Sequence, residues 1–265
     1  GPIDGKLLGE WLYGESAADK ARIDQTDLAQ PALVAVAWGL VRLWSAWGIR
    51  PDGVIGHSIG EIPAALVAGA LDISTAMTLA VLRGRVMQSD APEGHMVGVS
   101  AGVAAVEPLL GGLKNVVIAG INGPRAITVS GPPDGISEFV TRVEAAGLKY
   151  RPLEVTRAFH GPEMTASSLA LAASTDLAAA RPLGLPLFST MTGENLAPTA
   201  MLSADYWCDQ MLTPVRFSEA VTTAAATGFD LMIEIGPRAV LSTLGPASAP
   251  KAVWIAGHDV DGEDG

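Results

Sequence analysis

Pro51-Asp52-Gly53-Val54-Ile55-Gly56-His57-Ser58-Ile59-Gly60-Glu61 sets the architecture expected of the whole chain. Pro51-Asp52-Gly53 has the composition of a turn, and Val54-Ile55 that of a short buried strand. Gly56-x-Ser58-x-Gly60 follows, and a helical pattern runs on to about Val67. A Gly-x-Ser-x-Gly turn between a strand and a helix is a nucleophile elbow, in which glycines permit a sharp turn that projects the serine hydroxyl from the end of the sheet. The Ile59 N–H, at the start of the helical stretch, is placed to donate to an oxyanion forming on a group attacked by Ser58.

Outward from the elbow, residues 28–47 read as a helix with apolar positions at Leu33, Val36, Leu40, Leu43 and Trp47. After a break at Gly69, a second helix is expected from about Ser74 to Gln88, capped by Asp72 or Ser74. The pattern then changes. Met96–Ser100, Val116–Ile121, Ala126–Ser130 and Tyr150–Val155 read as strands, with helices at Val103–Leu110 and 134–146. That order, βαββαβ, is ferredoxin-like. Beyond it, helices are expected at 163–180, 215–227 and 239–244, and strands at Leu185–Thr190, Leu231–Ile235 and Ala252–Ile255. The predicted fold is an α/β-hydrolase-like, mostly parallel sheet core (3–94 and 157–265) with an inserted ferredoxin-like subdomain (95–156).

A chain of 265 residues with 49% apolar residues is large enough for such a core, and no charge-free apolar run reaches membrane-spanning length. The net charge of −11 argues against nucleic acid as a partner. One cysteine, Cys208, excludes an internal disulfide framework, suits a cytoplasmic chain and reads as a small buried apolar side chain. Gly1-Pro2 looks like a scar of tag cleavage and is left out of the fold reading.

The serine needs a base. By chemistry alone His57, His95, His160 and His258 are all candidates. His57 adjoins the serine, but neighbouring side chains on a turn diverge, so it reads as packing. Arg83 is the second informative residue: its helical neighbours Leu79, Ala80, Val86 and Met87 are apolar, whereas Arg85 points some 200° away. An arginine set among apolar neighbours needs a partner, either a structural ion pair or an anionic ligand.

Gly56-His57-Ser58-Ile59-Gly60-Glu61 resembles the signature of malonyl-CoA:acyl-carrier-protein transacylases and of the acyltransferase domains of modular or iterative type I polyketide synthases. The resemblance continues, in family order, through Leu82–Gln88, Asn122-Gly123-Pro124 with Val129-Ser130-Gly131, and Ala158-Phe159-His160. It ends with Tyr206-Trp207, Pro214–Phe217, Glu234-Ile235-Gly236-Pro237 and Val240-Leu241. The βαββαβ insert matches the family's small subdomain. The resemblance implies Ser58 as nucleophile and His160 as base, with the imidazole oriented by the backbone carbonyl of Gln210 and not by a carboxylate, although Asp205 and Asp209 lie close by in sequence. It implies that Arg83 binds the malonyl carboxylate, in the bidentate manner that favours Arg over Lys. Gln30, Asn122, Phe159 and Met87 are expected to line the same pocket. It further implies malonyl-CoA as substrate, no permanently bound cofactor and no metal. The expected partners are an acyl carrier protein and adjacent ketosynthase and linker regions, with neither membrane nor nucleic acid.

Selectivity is partly legible through the same resemblance. Phe159 stands where malonyl users carry Phe and methylmalonyl users Ser, and Ile59 where methylmalonyl users often have Gln. Thr26-Asp27-Leu28-Ala29-Gln30 is similar to the malonyl form of an upstream signature, with Leu28 replacing an aromatic. There are departures. Arg157 replaces a usual His, and Pro63 replaces a usual Ala and should tighten or kink the first helical turn. Nothing in Gly1–Gln30 resembles the family's Gly-Gln-Gly-Ser-Gln segment, so an incomplete sheet and oxyanion hole, or a longer parent domain, are expected. Two other readings follow: a truncated or non-catalytic scaffold, and a serine thioesterase or esterase. The last would need an acidic triad member and has no use for Arg83.

Overall fold

The computed structural model describes residues 3–174 and 181–257. Two short helices, α1 (Leu8–Leu12) and α2 (Ala17–Ile23), lead into α3 (Thr26–Ala46). Then follow β1 (Val54–Ile55), a 3-10 turn at Ser58–Gly60, α4 (Glu61–Val67) and α5 (Ile73–Ser89). The next segment holds β2 (His95–Val99), α6 (Val103–Val106), β3 (Val117–Gly123), β4 (Ala126–Gly131), α7 (Pro133–Ala145) and β5 (Tyr150–Pro152). The chain continues through α8 (Thr165–Ser174), β6 (Leu187–Phe188), α9 (Ala204–Leu212), α10 (Phe217–Ala226), β7 (Leu231–Glu234), α11 (Leu241–Leu244) and β8 (Val253–Ala256).

The segment from β2 to β5 is a four-stranded antiparallel sheet in the order β3-β4-β2-β5, which is the ferredoxin-like topology expected from the strand and helix order. Its own core includes Val97, Val99, Ile127 and Val129 from the sheet and Ile136, Phe139 and Val143 from one stripe of α7. In the larger part, β1 pairs with β6 and β7 with β8, both in parallel. The sequence leads one to expect a single mostly parallel sheet; among the described residues these strands form two separate parallel pairs.

The two helices that frame the site, α3 and α5, are packed against each other. Gly84 permits this: a Cβ there would lie 2.8 Å from the Thr26 carbonyl oxygen and 2.9 Å from Asp27 Cα. Helix α3 is long and apolar enough to cross a membrane by length and composition. It nonetheless carries Asp27 and Arg42, and buries Leu28, Gln30 and Val34. Helix α5 starts where the sequence suggests, with Asp72 accepting a hydrogen bond from Thr75 N–H (2.8 Å), and the preceding break falls at Gly69, φ 79°.

Several expectations need adjustment. The helix expected at 163–180 begins with a 3-10 turn at Pro162–Met164 and is helical over Thr165–Ser174; residues 175–180 lie outside the described ones. The strand expected over Tyr150–Val155 ends at Pro152. Helix α9 has no counterpart among the expected elements; Ser203 is its N-cap, accepting from Tyr206 N–H. Helices α1 and α2 were also missed, being too short for periodicity to register.

Candidate active site

The elbow is built by one glycine and one strained serine. A Cβ on Gly56 would overlap the Gly60 carbonyl and the Glu61 backbone, so only glycine fits there. Gly60, by contrast, has ordinary helical dihedrals and open space around it. The positive φ sits on Ser58 itself, at 52°. For an L-residue this conformation costs about 1–2 kcal/mol and must be held by its surroundings. Ser58–Gly60 forms the 3-10 turn that Pro63 led one to expect: proline cannot donate to the Ile59 carbonyl, and Glu61 N–H bonds the carbonyls of Ser58 and Ile59 instead.

Ser58 Oγ lies 2.6 Å from His160 Nε2. The other ring nitrogen, Nδ1, is 3.1 Å from both the Gln210 and the Thr213 carbonyl oxygens. Carbonyls only accept, so the proton sits on Nδ1, Nε2 is the acceptor, and the serine hydroxyl donates to it. Burial, the Arg83 charge and His57 together push the His160 imidazole down to about 3, so it is neutral near pH 7. The Gln210 carbonyl is where the resemblance places it. The Thr213 carbonyl was not foreseen, since nothing in the sequence distinguishes one backbone oxygen from another. His160 also adopts a positive φ, 58°.

Arg83 is 2% exposed, while Arg85 is exposed on the other side of α5. Its guanidinium donates to Gln30 Oε1 (2.7 Å) and Gln210 Oε1 (2.9 Å), and its buried Nε has no partner. Burial lowers Arg83 to about 10, opposed by the Glu61 carboxylate, so it remains charged at neutral pH. A buried cation bonded only to neutral amide oxygens is suited to receive an anion. Gln30 is fixed in turn by Thr26 Oγ1 (2.9 Å) and Met87 Sδ (3.0 Å). Phe159 is half-buried against the large core cluster that contains Met87 and Trp207.

Asn122 reaches the site indirectly. Its Nδ2 donates to Thr128 Oγ1 (3.0 Å), which turns Oδ1 toward His57 Nε2 at 2.8 Å. Burial holds His57 neutral, and its ring meets Phe217 edge-on, as the packing reading anticipated. His95 is exposed beside Glu93, and His258 lies outside the described residues. Arg157 donates to the Gln88 carbonyl near the end of α5 (2.9 Å), tying the His160 loop to the helix that bears Arg83.

One buried group was quoted in the signature but given no role. Glu61 is fully buried, and its Oε1 accepts from Thr190 N–H (2.6 Å) while Oε2 accepts from the Tyr206 hydroxyl (3.2 Å). Thr190 Oγ1 donates to the Gly56 carbonyl (2.7 Å), so this network pins the end of β6 to the elbow. Burial raises the Glu61 carboxyl above its ordinary range.

A serine on a strand–turn–helix elbow, bonded to a neutral histidine that backbone carbonyls orient, defines a nucleophile-elbow α/β protein with, among the described residues, no acidic group on its histidine. The protein-family comparison makes the assignment finer: residues 16–249 match the acyl transferase domain family. The chain belongs to that family and is a polyketide-synthase-type acyltransferase domain. It is 40% identical over 241 residues to the mycoketide-CoA synthase of Mycobacterium tuberculosis, covering 89% of this chain and 6% of that protein. Its fold is similar to the acyltransferase domain from the second module of the salinomycin polyketide synthase. That match has a TM-score of 0.90 and 33% identity, covering 97% of this chain and 60% of the other. It is also similar to MCAT from Streptococcus pneumoniae, with a TM-score of 0.86 and 29% identity over 96% of this chain and 84% of that one.

Proposed function

We propose that this domain takes a malonyl group from malonyl-CoA onto Ser58 and passes it to the phosphopantetheine thiol of an acyl carrier protein. The observation that carries the reading is Arg83: a buried, charged guanidinium with a free Nε and only neutral partners, joined through Gln210 to the Ser58–His160 pair. The malonyl carboxylate would supply the missing anion.

In the first half-reaction the Ser58 hydroxyl gives its proton to His160 Nε2 as Oγ bonds to the thioester carbonyl carbon. The carbonyl oxygen becomes an oxyanion, which the Ile59 N–H stabilises. The C–S bond then breaks, and the imidazolium returns the proton to the departing coenzyme A thiolate. In the second half the carrier thiol gives its proton to His160, its sulfur attacks the Ser58 ester, and Oγ leaves with that proton. A neutral imidazole is the form both halves require at the outset. Phe159 supports malonyl over methylmalonyl, since its ring would fill the space of an α-methyl group.

Intact-protein mass spectrometry after incubation with malonyl-CoA tests this. A malonyl adduct on Ser58, discharged by a carrier protein and absent in Ser58→Ala, is the expected result. Free malonate without a carrier would identify a thioesterase, and no adduct at all would favour a non-catalytic scaffold.

A further inference from the structure

The Gln210 side chain makes two hydrogen bonds that its backbone role does not require. Its Nε2 donates to the Ser58 carbonyl oxygen at 2.7 Å, and its Oε1 accepts from Arg83 at 2.9 Å. The amide orientation is dictated by its neighbours: a guanidinium only donates and a carbonyl only accepts, so the group fits one way round. Gln210 is 3% exposed, and both contacts span long stretches of chain, at sequence separations of 152 from Ser58 and 127 from Arg83.

The Ser58 carbonyl and the Ile59 N–H belong to one peptide unit. No peptide bond among the described residues is cis, so the N–H points opposite to the C=O. Whatever holds the carbonyl therefore aims the N–H. Glu61 N–H holds that carbonyl from within the turn, and Gln210 is the side chain that holds it from across the site. The need is concrete, because Ser58 sits at a positive φ that an L-residue does not keep unaided.

We infer that the Gln210 side chain is a positioning residue: it fixes the Ser58–Ile59 peptide plane, hence the oxyanion donor, and links that plane to the guanidinium that binds the acyl carboxylate. The inference deepens the proposed function and rests on it for the identity of the acyl group. A carboxylate arriving on Arg83 shares the guanidinium with Gln210 Oε1, so the group that binds the acyl terminus and the oxyanion donor are joined through one side chain. The Gln210 carbonyl, which orients His160, is untouched by side-chain replacement.

Two variants and two reagents test it. Gln210→Glu keeps the volume and the acceptor toward Arg83 but removes the donor to Ser58. Gln210→Met removes both. A fluorophosphonate forms a bond from Ser58 Oγ to phosphorus and releases fluoride, the hydroxyl proton passing to His160. Its phosphoryl oxygen uses the oxyanion donor whatever acyl group the enzyme prefers. Both variants are expected to react with the fluorophosphonate at least about tenfold more slowly, and the neutral Gln210→Met should keep the wild-type pH profile because Nδ1 remains held by backbone. With malonyl-CoA, kcat for acylation should fall in both, and KM should rise most in Gln210→Glu, where Arg83 gains an internal anion. Wild-type reaction rates in both variants would overturn the inference, as would a slowed Gln210→Met reaction whose pH profile had moved. Failure of the isosteric Glu variant to fold would also overturn it, by making Gln210 a folding residue. Phosphonylation of the wild type with no malonyl adduct would refute the malonyl reading while leaving the positioning arm intact.

Discussion

Replacing Arg83 by alanine separates a substrate-binding arginine from a structural one. In the free protein this side chain bonds two neutral amide oxygens, those of Gln30 and Gln210, and no carboxylate. Removing it leaves two buried acceptors unpaired, a stability cost of about 1–3 kcal/mol each that falls on every substrate alike. The selective loss comes from the acyl carboxylate. Charge-assisted hydrogen bonds of this kind are worth roughly 1.5–3 kcal/mol, so malonyl transfer should lose about ten- to a hundredfold relative to acetyl transfer. The assay is direct competition between malonyl-CoA and acetyl-CoA for Ser58, read as the ratio of adducts, in which general damage cancels. Arg83→Lys should recover only part of the ratio, because an ammonium cannot grip a carboxylate through a fork. The His160 imidazole should also titrate higher in Arg83→Ala, since the guanidinium is second to burial in depressing it. An equal loss for both acyl groups, with His160 unmoved, would show that Arg83 serves only the fold.

Phe159→Ser should relax discrimination against methylmalonyl-CoA without inverting it, one methyl group in a pocket being worth about 1–3 kcal/mol; unchanged competition would move the filter elsewhere, first to Ile59. Folding should weaken as the pH drops below 6.5, because the unfolded chain then protonates its histidine while buried His160, held at about 3, does not. This one group contributes a slope of about 1.4 kcal/mol per pH unit across that window, and urea midpoints of His160→Gln should show the slope reduced by that amount. Identical slopes would mean His160 accepts the proton without cost. Gly56→Ala forces a Cβ into the Gly60 and Glu61 backbone and should destabilise the fold by about 1–3 kcal/mol or more while abolishing Ser58 acylation; an unchanged melting temperature would refute the close approach.

Features that depend on short stretches of chain were legible in the residues alone. A turn, two apolar residues and Gly-x-Ser-x-Gly are enough to specify the elbow, and Pro63 foretold its 3-10 turn. The βαββαβ order specified the insert's antiparallel topology, with a helix over 134–146 that the structure places on its core. Apolar neighbours one turn away marked Arg83 as buried and Arg85 as exposed. Tertiary structure alone decided how these pieces meet. Sequence favoured the glycines as the strained residues of the elbow; the fold puts the positive φ on Ser58, held from α9 by a side chain 152 residues away. It seated a second carbonyl, from Thr213, on His160, turned Asn122 onto His57, and closed the Glu61 network through Thr190 and Tyr206. Periodicity and turn chemistry act over a few residues, so they are written locally. The pairing of a buried amide or carboxylate depends on which donors packing brings within about 3 Å, and no local pattern records that.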